Sequence, residues 1–91
     1  MAHIKNNQQA LLTRVKKIRG QLNAVEKSLT EDTECLAILQ QVTAIKGAVN
    51  GLMTTILDDH IRAHLGNPDL TDMQRNEEID ALSKLLKSYL R

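Results

Sequence analysis

Residues 35–64 read CLAILQQVTAIKGAVNGLMTTILDDHIRAH, and this stretch decides the fold. Cys35, Leu39, Val42, Ile45, Val49, Leu52, Ile56 and His60 recur at spacings of three and four, the period of one face of a helix. Between Cys35 and Leu57 the only charge is Lys46, and no proline interrupts the run. Gly66-Asn67-Pro68 then supplies a stop: a residue free to turn left-handed, followed by a ring that forbids continuation. A helix of this length spans about 45 Å, longer than a globule of this chain length is wide. Its apolar stripe therefore needs a partner along its whole length.

The same stretch carries metal-ligand chemistry. His60 and His64 stand one turn apart, so their imidazoles leave the same face. Cys35, the only cysteine, lies roughly 37 Å from His60 along a continuous helix. No ion joins ligands across that distance within one helix. A second copy running antiparallel would bring its Cys35 to the histidine pair, with a two-fold axis near residues 48 and 49. The sequence there, Gly47-Ala48-Val49-Asn50-Gly51, is built of small residues that let two helix backbones approach closely. Each glycine costs about 1 kcal/mol of helix propensity at an exposed position, which a packing role would explain.

Working outward, Leu11, Val15, Ile18, Leu22, Val25 and Leu29 form a heptad seam on a first helix running from about Asn6 to Leu29. Asp32 or Thr33 offers an N-cap for the long helix, with Glu34 in its first turn. A third helix has Thr71 as its cap and Ile79, Leu82, Leu85, Leu86 and Tyr89 as its apolar face. The expected class is all-α, a three-helix protomer. Folding the first helix back about residue 31 or 32 places His3 beside His60 and Lys17 beside Lys46.

Composition agrees. The chain is 42% hydrophobic with no Trp or Phe and a single Tyr, so a core must come from aliphatic side chains. One proline and four glycines leave too few turns for an all-β fold. Ninety-one residues are expected to form a single domain, 1–91, near the size at which a lone protomer struggles to bury enough surface. No run approaches the ~20 apolar residues of a membrane span, and no secretory signal opens the chain. A lone cysteine forms no internal disulfide, which fits a reducing, cytoplasmic setting.

The net charge of +1 hides an asymmetry. No acid precedes Glu26, while Lys5, Arg14, Lys16, Lys17 and Arg19 are basic, and seven of the eleven acids lie from Asp58 onward. A basic run on a helix is ordinarily a solvated face; this distribution also allows one surface for an anionic partner.

Taken singly, each candidate ligand has an ordinary explanation: a small buried hydrophobe for Cys35, the helix C-terminal dipole for His60 and His64, a terminal tail for His3. Together they converge under one packing scheme. Small Ala2 permits removal of Met1, leaving a free amine one residue before His3. That amine, the His3 amide and imidazole, Cys35, His60 and His64 would offer up to six donors, rich in nitrogen with one thiolate. Tetrahedral Zn(II) needs four and Cu(I) prefers more sulfur, so six-coordinate Ni(II) or Co(II) fits best, with Zn(II) able to use a subset.

The chain resembles the CsoR/RcnR family of small all-helical transcriptional repressors over essentially its whole length. Glu34-Cys35-Leu36-Ala37-Ile38-Leu39-Gln40-Gln41 and Gly47-Ala48-Val49-Asn50-Gly51-Leu52-Met53 look like that family's central helix, and Arg14-Val15-Lys16-Lys17-Ile18-Arg19-Gly20-Gln21 like its first. The resemblance implies an antiparallel helical dimer, dimers pairing into a disc-shaped homotetramer, and effector-free binding to operator DNA with release by effector. It also implies that Arg14, Lys17 and Lys46 contact DNA, with Lys16 and Arg19 weaker candidates. The set His3, Cys35, His60 and His64 looks like the nickel- and cobalt-responsive branch typified by RcnR, which would derepress metal-efflux or resistance genes. Copper and persulfide branches use a second cysteine that this chain lacks. The competing branch is the formaldehyde-responsive one typified by FrmR, in which the N-terminal amine and the cysteine thiol are joined by a methylene; it typically has proline where this chain has Ala2, and commonly no imidazole at the place of His64. No phosphate loop, Glu-x-x-His pair or nucleophile–base motif points to an enzyme. A structural helical adaptor is the reading from another class.

Overall fold

A computed structural model describes residues 7–90. Three α-helices follow one another: α1 (Gln8–Thr30), α2 (Cys35–His60), continued by a π-helical turn over Ile61–Leu65, and α3 (Asp72–Tyr89). No strand occurs among the described residues, as the three-to-four periodicity predicts. No described helix is long and apolar enough to cross a membrane.

Helices α1 and α2 form an antiparallel hairpin. Its bend is set by Asp32, which adopts a left-handed conformation (φ 57°), a conformation that aspartate tolerates better than most residues. The Thr33 amide donates back to the Ser28 carbonyl at 3.2 Å, closing the turn. Asp32 and Thr33 are thus spent on the bend, and neither caps α2. The N-cap is Glu34, whose side chain makes no capping bond. The bend is also centred about one residue later than expected. Asn7 meets Asp59, and Arg14 lies over Gly51, so α1 reaches two to three residues further along α2 than a fold about residue 31 or 32 would bring it.

The hairpin interface uses Leu11, Val15, Ile18 and Val25 of the expected seam, and Leu11 is the one buried hydrophobic residue among those described. Past Ile18 the covered face drifts to Gln21 and Ser28, leaving Leu22 and Leu29 52% and 65% exposed. On α2 the stripe is divided in the same way. Ile45 and Leu52 are half-buried, whereas Leu39, Val42, Val49 and Ile56 are open.

Helix α3 is capped as the sequence predicts. Thr71 Oγ1 accepts from the Gln74 amide, and Gln74 Oε1 accepts from the Thr71 amide, a reciprocal box satisfying two otherwise orphaned donors. Of its apolar face, Leu82 and Leu86 are half-buried, while Ile79, Leu85 and Tyr89 remain open. Arg75 donates to the Leu65 and Asn67 carbonyls, and Tyr89 Oη donates to Asn50 Oδ1, so both ends of α3 are tied to the α2 arm.

The α2 arm ends differently from expectation. Gly66 has φ −83° and is not left-handed. Instead its amide closes back five residues onto the Ile61 carbonyl at 3.0 Å, which is the bond of a π turn. A Cβ at Gly66 would stand 2.7 Å from the Arg62 carbonyl oxygen, so close backbone approach, not handedness, selects glycine here.

The radius of gyration is 17.5 Å, against about 12 Å for a compact chain of this length, and the principal extents are 57 × 29 × 14 Å. The accessible surface is 7191 Å², where a globular monomer of this mass exposes about 5,300 Å². The protomer is a plank whose apolar stripe is half covered.

Candidate metal centre and nucleic-acid interface

The π turn determines where His64 points. His60 closes the α-helical part of α2, and His64 lies within the wider turn that follows. Their rings stack with centroids 4.6 Å apart and planes 20° from parallel, which offers two nitrogen donors in one place. His60 Nε2 lies 3.5 Å from Glu78 Oε2 on α3. A carboxylate so placed can orient an imidazole. Beside the ring, Met53, Ile56, Leu57, Leu82 and Leu85 line a cleft of about 260 Å³ between α2 and α3.

One residue before His60, Asp59 is engaged from α1. Asn7 Nδ2 donates to both of its carboxylate oxygens at 2.9 Å. Asn7 is the N-cap of α1, yet its side chain makes no capping bond there. The start of α1 is therefore fastened next to the histidine pair. His3 and the Ala2 amine lie outside the described residues.

Cys35 opens α2 at the far end and is exposed. Among the described residues no three His, Cys, Asp or Glu side chains gather into a group able to hold a metal ion. The protomer brings together His60 and His64 and keeps Cys35 apart, as the length of one helix requires.

The cationic candidates Arg14, Lys16, Lys17, Arg19 and Lys46 are all exposed. The guanidinium of Arg14 lies across α2 at Gly51, where an added Cβ would stand 3.0 Å from Nη1. A Cβ at Gly51 would ask the flexible Arg14 guanidinium to give by a few tenths of an ångström, whereas a Cβ at Gly47 would meet nothing within 4 Å. The later bend carries Lys17 past Lys46, to the level of residues 48–49 on α2.

Sequence reasoning missed Asn7–Asp59, His60–Glu78, Tyr89–Asn50 and the Arg14–Gly51 approach. Nothing local in the sequence marks the long-range partners of Asn7 or Glu78.

The family model for metal-sensitive transcriptional repressors matches residues 7–88. An uncharacterised protein of the bioA 5′ region of Serratia marcescens is 45% identical over 91 residues, covering all of both chains. A transcriptional repressor RcnR homologue from Escherichia coli O139:H28 is 41% identical, again over the full length of both. Among solved structures, a glutamate-to-histidine variant of the formaldehyde-responsive regulator FrmR from Salmonella enterica serovar Typhimurium superposes with a TM-score of 0.85 at 40% identity. That likeness covers 93% of this chain and 96% of the other.

Proposed function

The chain belongs to the metal-sensitive transcriptional repressor family, and from that premise we propose that it holds operator DNA in its effector-free form and releases it on binding Ni(II) or Co(II). The observation that carries the choice of effector is the stacked His60–His64 pair at one end of α2, with an exposed thiol at the other. Two nitrogens on one protomer are an incomplete site. An antiparallel second copy completes it with its own Cys35, and the N-terminal amine and His3 add further nitrogen donors. The donor set suits a borderline divalent ion, and Zn(II) would occupy a subset in vitro. The same second copy covers Leu39, Val42, Val49 and Ile56, and the open face of α3 is available for dimers to pair into a tetramer.

In this reading Arg14, Lys17 and Lys46, with Lys16 and Arg19 beside them, meet phosphates along a surface doubled by the two-fold axis. With no helix shaped for the major groove, groove shape contributes to operator choice. The bound ion supplies cross-links between the N-terminal segment, the α2 end and the second copy. The chain's part is to convert that tie into displacement of Arg14 and Lys17 relative to Lys46. Metal and DNA then oppose each other reciprocally.

The second reading, a formaldehyde-responsive repressor, is favoured by the exposed Cys35 and by the FrmR neighbour. One formaldehyde would join the N-terminal amine and the thiol through a methylene, with loss of one water.

The test uses untagged, Met-processed protein and the duplex it selects from a random-sequence DNA pool. Affinity is measured alone and with Ni(II), Co(II), Zn(II), Cu(I) or formaldehyde. Saturating Ni(II) or Co(II) should weaken binding by a factor in the typical allosteric range of about 5–150. Cys35→Ala should lose that response and keep effector-free binding; Lys46→Ala should do the reverse. Equal affinity with and without both metals overturns the metal reading, a response to formaldehyde alone selects the second, and selection of no duplex leaves a structural adaptor.

A further inference from the structure

The cations among the described residues divide by how they are engaged. Lys27 and Arg62 pair with acids on their own helices, Glu31 and Asp58, and Arg75 is spent on the Leu65 and Asn67 carbonyls. The five cations assigned above to nucleic acid hold no ion pair among the described residues, and neither do Lys84 and Lys87 on α3. Lys87 stands in the last turn of α3, where a positive charge ordinarily does no more than favour the helix dipole.

The contact made two residues later says where that turn lands. Tyr89, the last residue of α3, donates its hydroxyl proton to Asn50 Oδ1 on α2. Asn50 stands between two cations of the proposed DNA surface. Lys46 precedes it by four residues, so both project from one face of α2. Gly51 follows it directly, and the Arg14 guanidinium lies across Gly51. The end of α3 therefore comes down on α2 between Lys46 and the seat of Arg14. Lys87 is about 3 Å of helix rise from Tyr89. It lines a cleft with Leu65 of the α2 arm and with Leu86 and Leu90, yet the residue as a whole is exposed. A lysine stem can lie along such an apolar surface while its ammonium reaches solvent.

We propose that Lys87, seated by the Tyr89–Asn50 bond, is a further phosphate-contacting residue, so that the nucleic-acid face is built from all three helices. The proposal rests on the reading of Arg14 and Lys46 as DNA contacts. An ammonium on a flexible stem acts on a phosphate as a point charge, which strengthens and positions binding without reading sequence.

The test compares Lys87→Gln with Arg14→Ala, Lys84→Gln and Lys27→Gln in effector-free, full-length protein. The probes are the duplex selected from the random-sequence pool and a scrambled duplex of equal length. Lys87→Gln should weaken binding to both duplexes alike, and flatten log affinity against log salt by about 0.9 for each phosphate it no longer neutralises. Lys87→Arg should keep the wild-type slope. Lys27→Gln should leave the slope unchanged, because Lys27 is already paired with Glu31. Lys84→Gln, further back along α3 from Tyr89, should change it less than Lys87→Gln. Tyr89→Phe removes the hydroxyl and keeps the ring, and in its background the loss from Lys87→Gln should shrink. Sedimentation of Lys87→Gln should give the wild-type assembly; weaker DNA binding that comes with altered assembly overturns the proposal. Equal losses from Lys84→Gln and Lys87→Gln also overturn it, since they would reflect the general field of α3 rather than a seated contact. If Arg14→Ala flattens the slope and Lys87→Gln does not, Lys87 serves the helix dipole and this inference alone falls. If neither moves the slope, the DNA reading of this face falls with it.

Discussion

At the scale of single residues, glycines divide by what they approach. Gly51 leaves room for the Arg14 guanidinium, whereas the space around Gly20 is open. Replacing an exposed helical glycine by alanine ordinarily adds about 1 kcal/mol of helix stability. Gly20→Ala should show that gain as a higher melting temperature. Gly51→Ala should keep most of it and weaken DNA binding only slightly, because the Arg14 guanidinium needs to give by only a few tenths of an ångström. Arg14→Ala should weaken DNA binding more, and flatten the dependence of log affinity on log salt by roughly 0.9 for each phosphate it no longer neutralises. Gly51→Ala should then add nothing in the Arg14→Ala background. Additive losses in that double variant would show that Gly51 acts on DNA by another route. The sequence displays Gly51 as a small residue in a small-residue run, and only the observed register ties it to Arg14.

At the scale of elements, the join between α2 and α3 holds the histidine pair. The sequence predicts a uniform α-helix through His64; the wider turn over Ile61–Leu65 was not legible, because a π turn depends on one hydrogen bond, from Gly66 to Ile61, rather than on any hydrophobic period. Arg75 secures that turn by donating to the Leu65 and Asn67 carbonyls, the latter also accepting from the Leu70 amide at 3.3 Å. Gly66→Ala sets a methyl against the Arg62 carbonyl oxygen, a backbone atom that cannot swing aside. The expected cost is about 1–3 kcal/mol, as for other overpacked sites, read as a fall in melting temperature. Ni(II) affinity should change with it, since altering the turn reorients His64 relative to His60. An alanine variant with unchanged melting temperature and metal binding would mean that the turn tolerates ordinary α-helical closure. The Thr71 cap, by contrast, was legible in the sequence, and the structure adds its reciprocal partner Gln74.

At the scale of the molecule, the protomer leaves Leu39, Val42, Val49 and Ile56 open along α2, and Leu22 and Leu29 open on α1. Four such α2 side chains, each stabilising by about 1.5–3 kcal/mol when fully buried, would contribute several kcal/mol to association. A second copy crossing at Gly47 should therefore be stable at micromolar concentration, as sedimentation equilibrium would measure. Gly47 meets nothing within its own chain, so Gly47→Ala should stabilise an isolated helix yet weaken the dimer if backbones cross there. Unchanged or tighter association in that variant would move the crossing elsewhere.

What the sequence determined by itself was local and periodic: three helices, the Thr71 cap, an apolar stripe too long for one partner, and a cysteine too far from two histidines to share an ion with them. These follow from rise per residue and from side-chain spacing, which any stretch of chain carries within itself. The tertiary structure decided the later bend at Asp32, the place of Arg14 over Gly51, the bond of Asn7 to Asp59, and the stacking of His60 on His64 around a π turn. The first three belong to a two- to three-residue shift between α1 and α2, and the fourth to a local change of hydrogen-bond closure. Helical periodicity repeats too regularly to specify such a shift, and only the closed hydrogen bonds of the folded chain fix it.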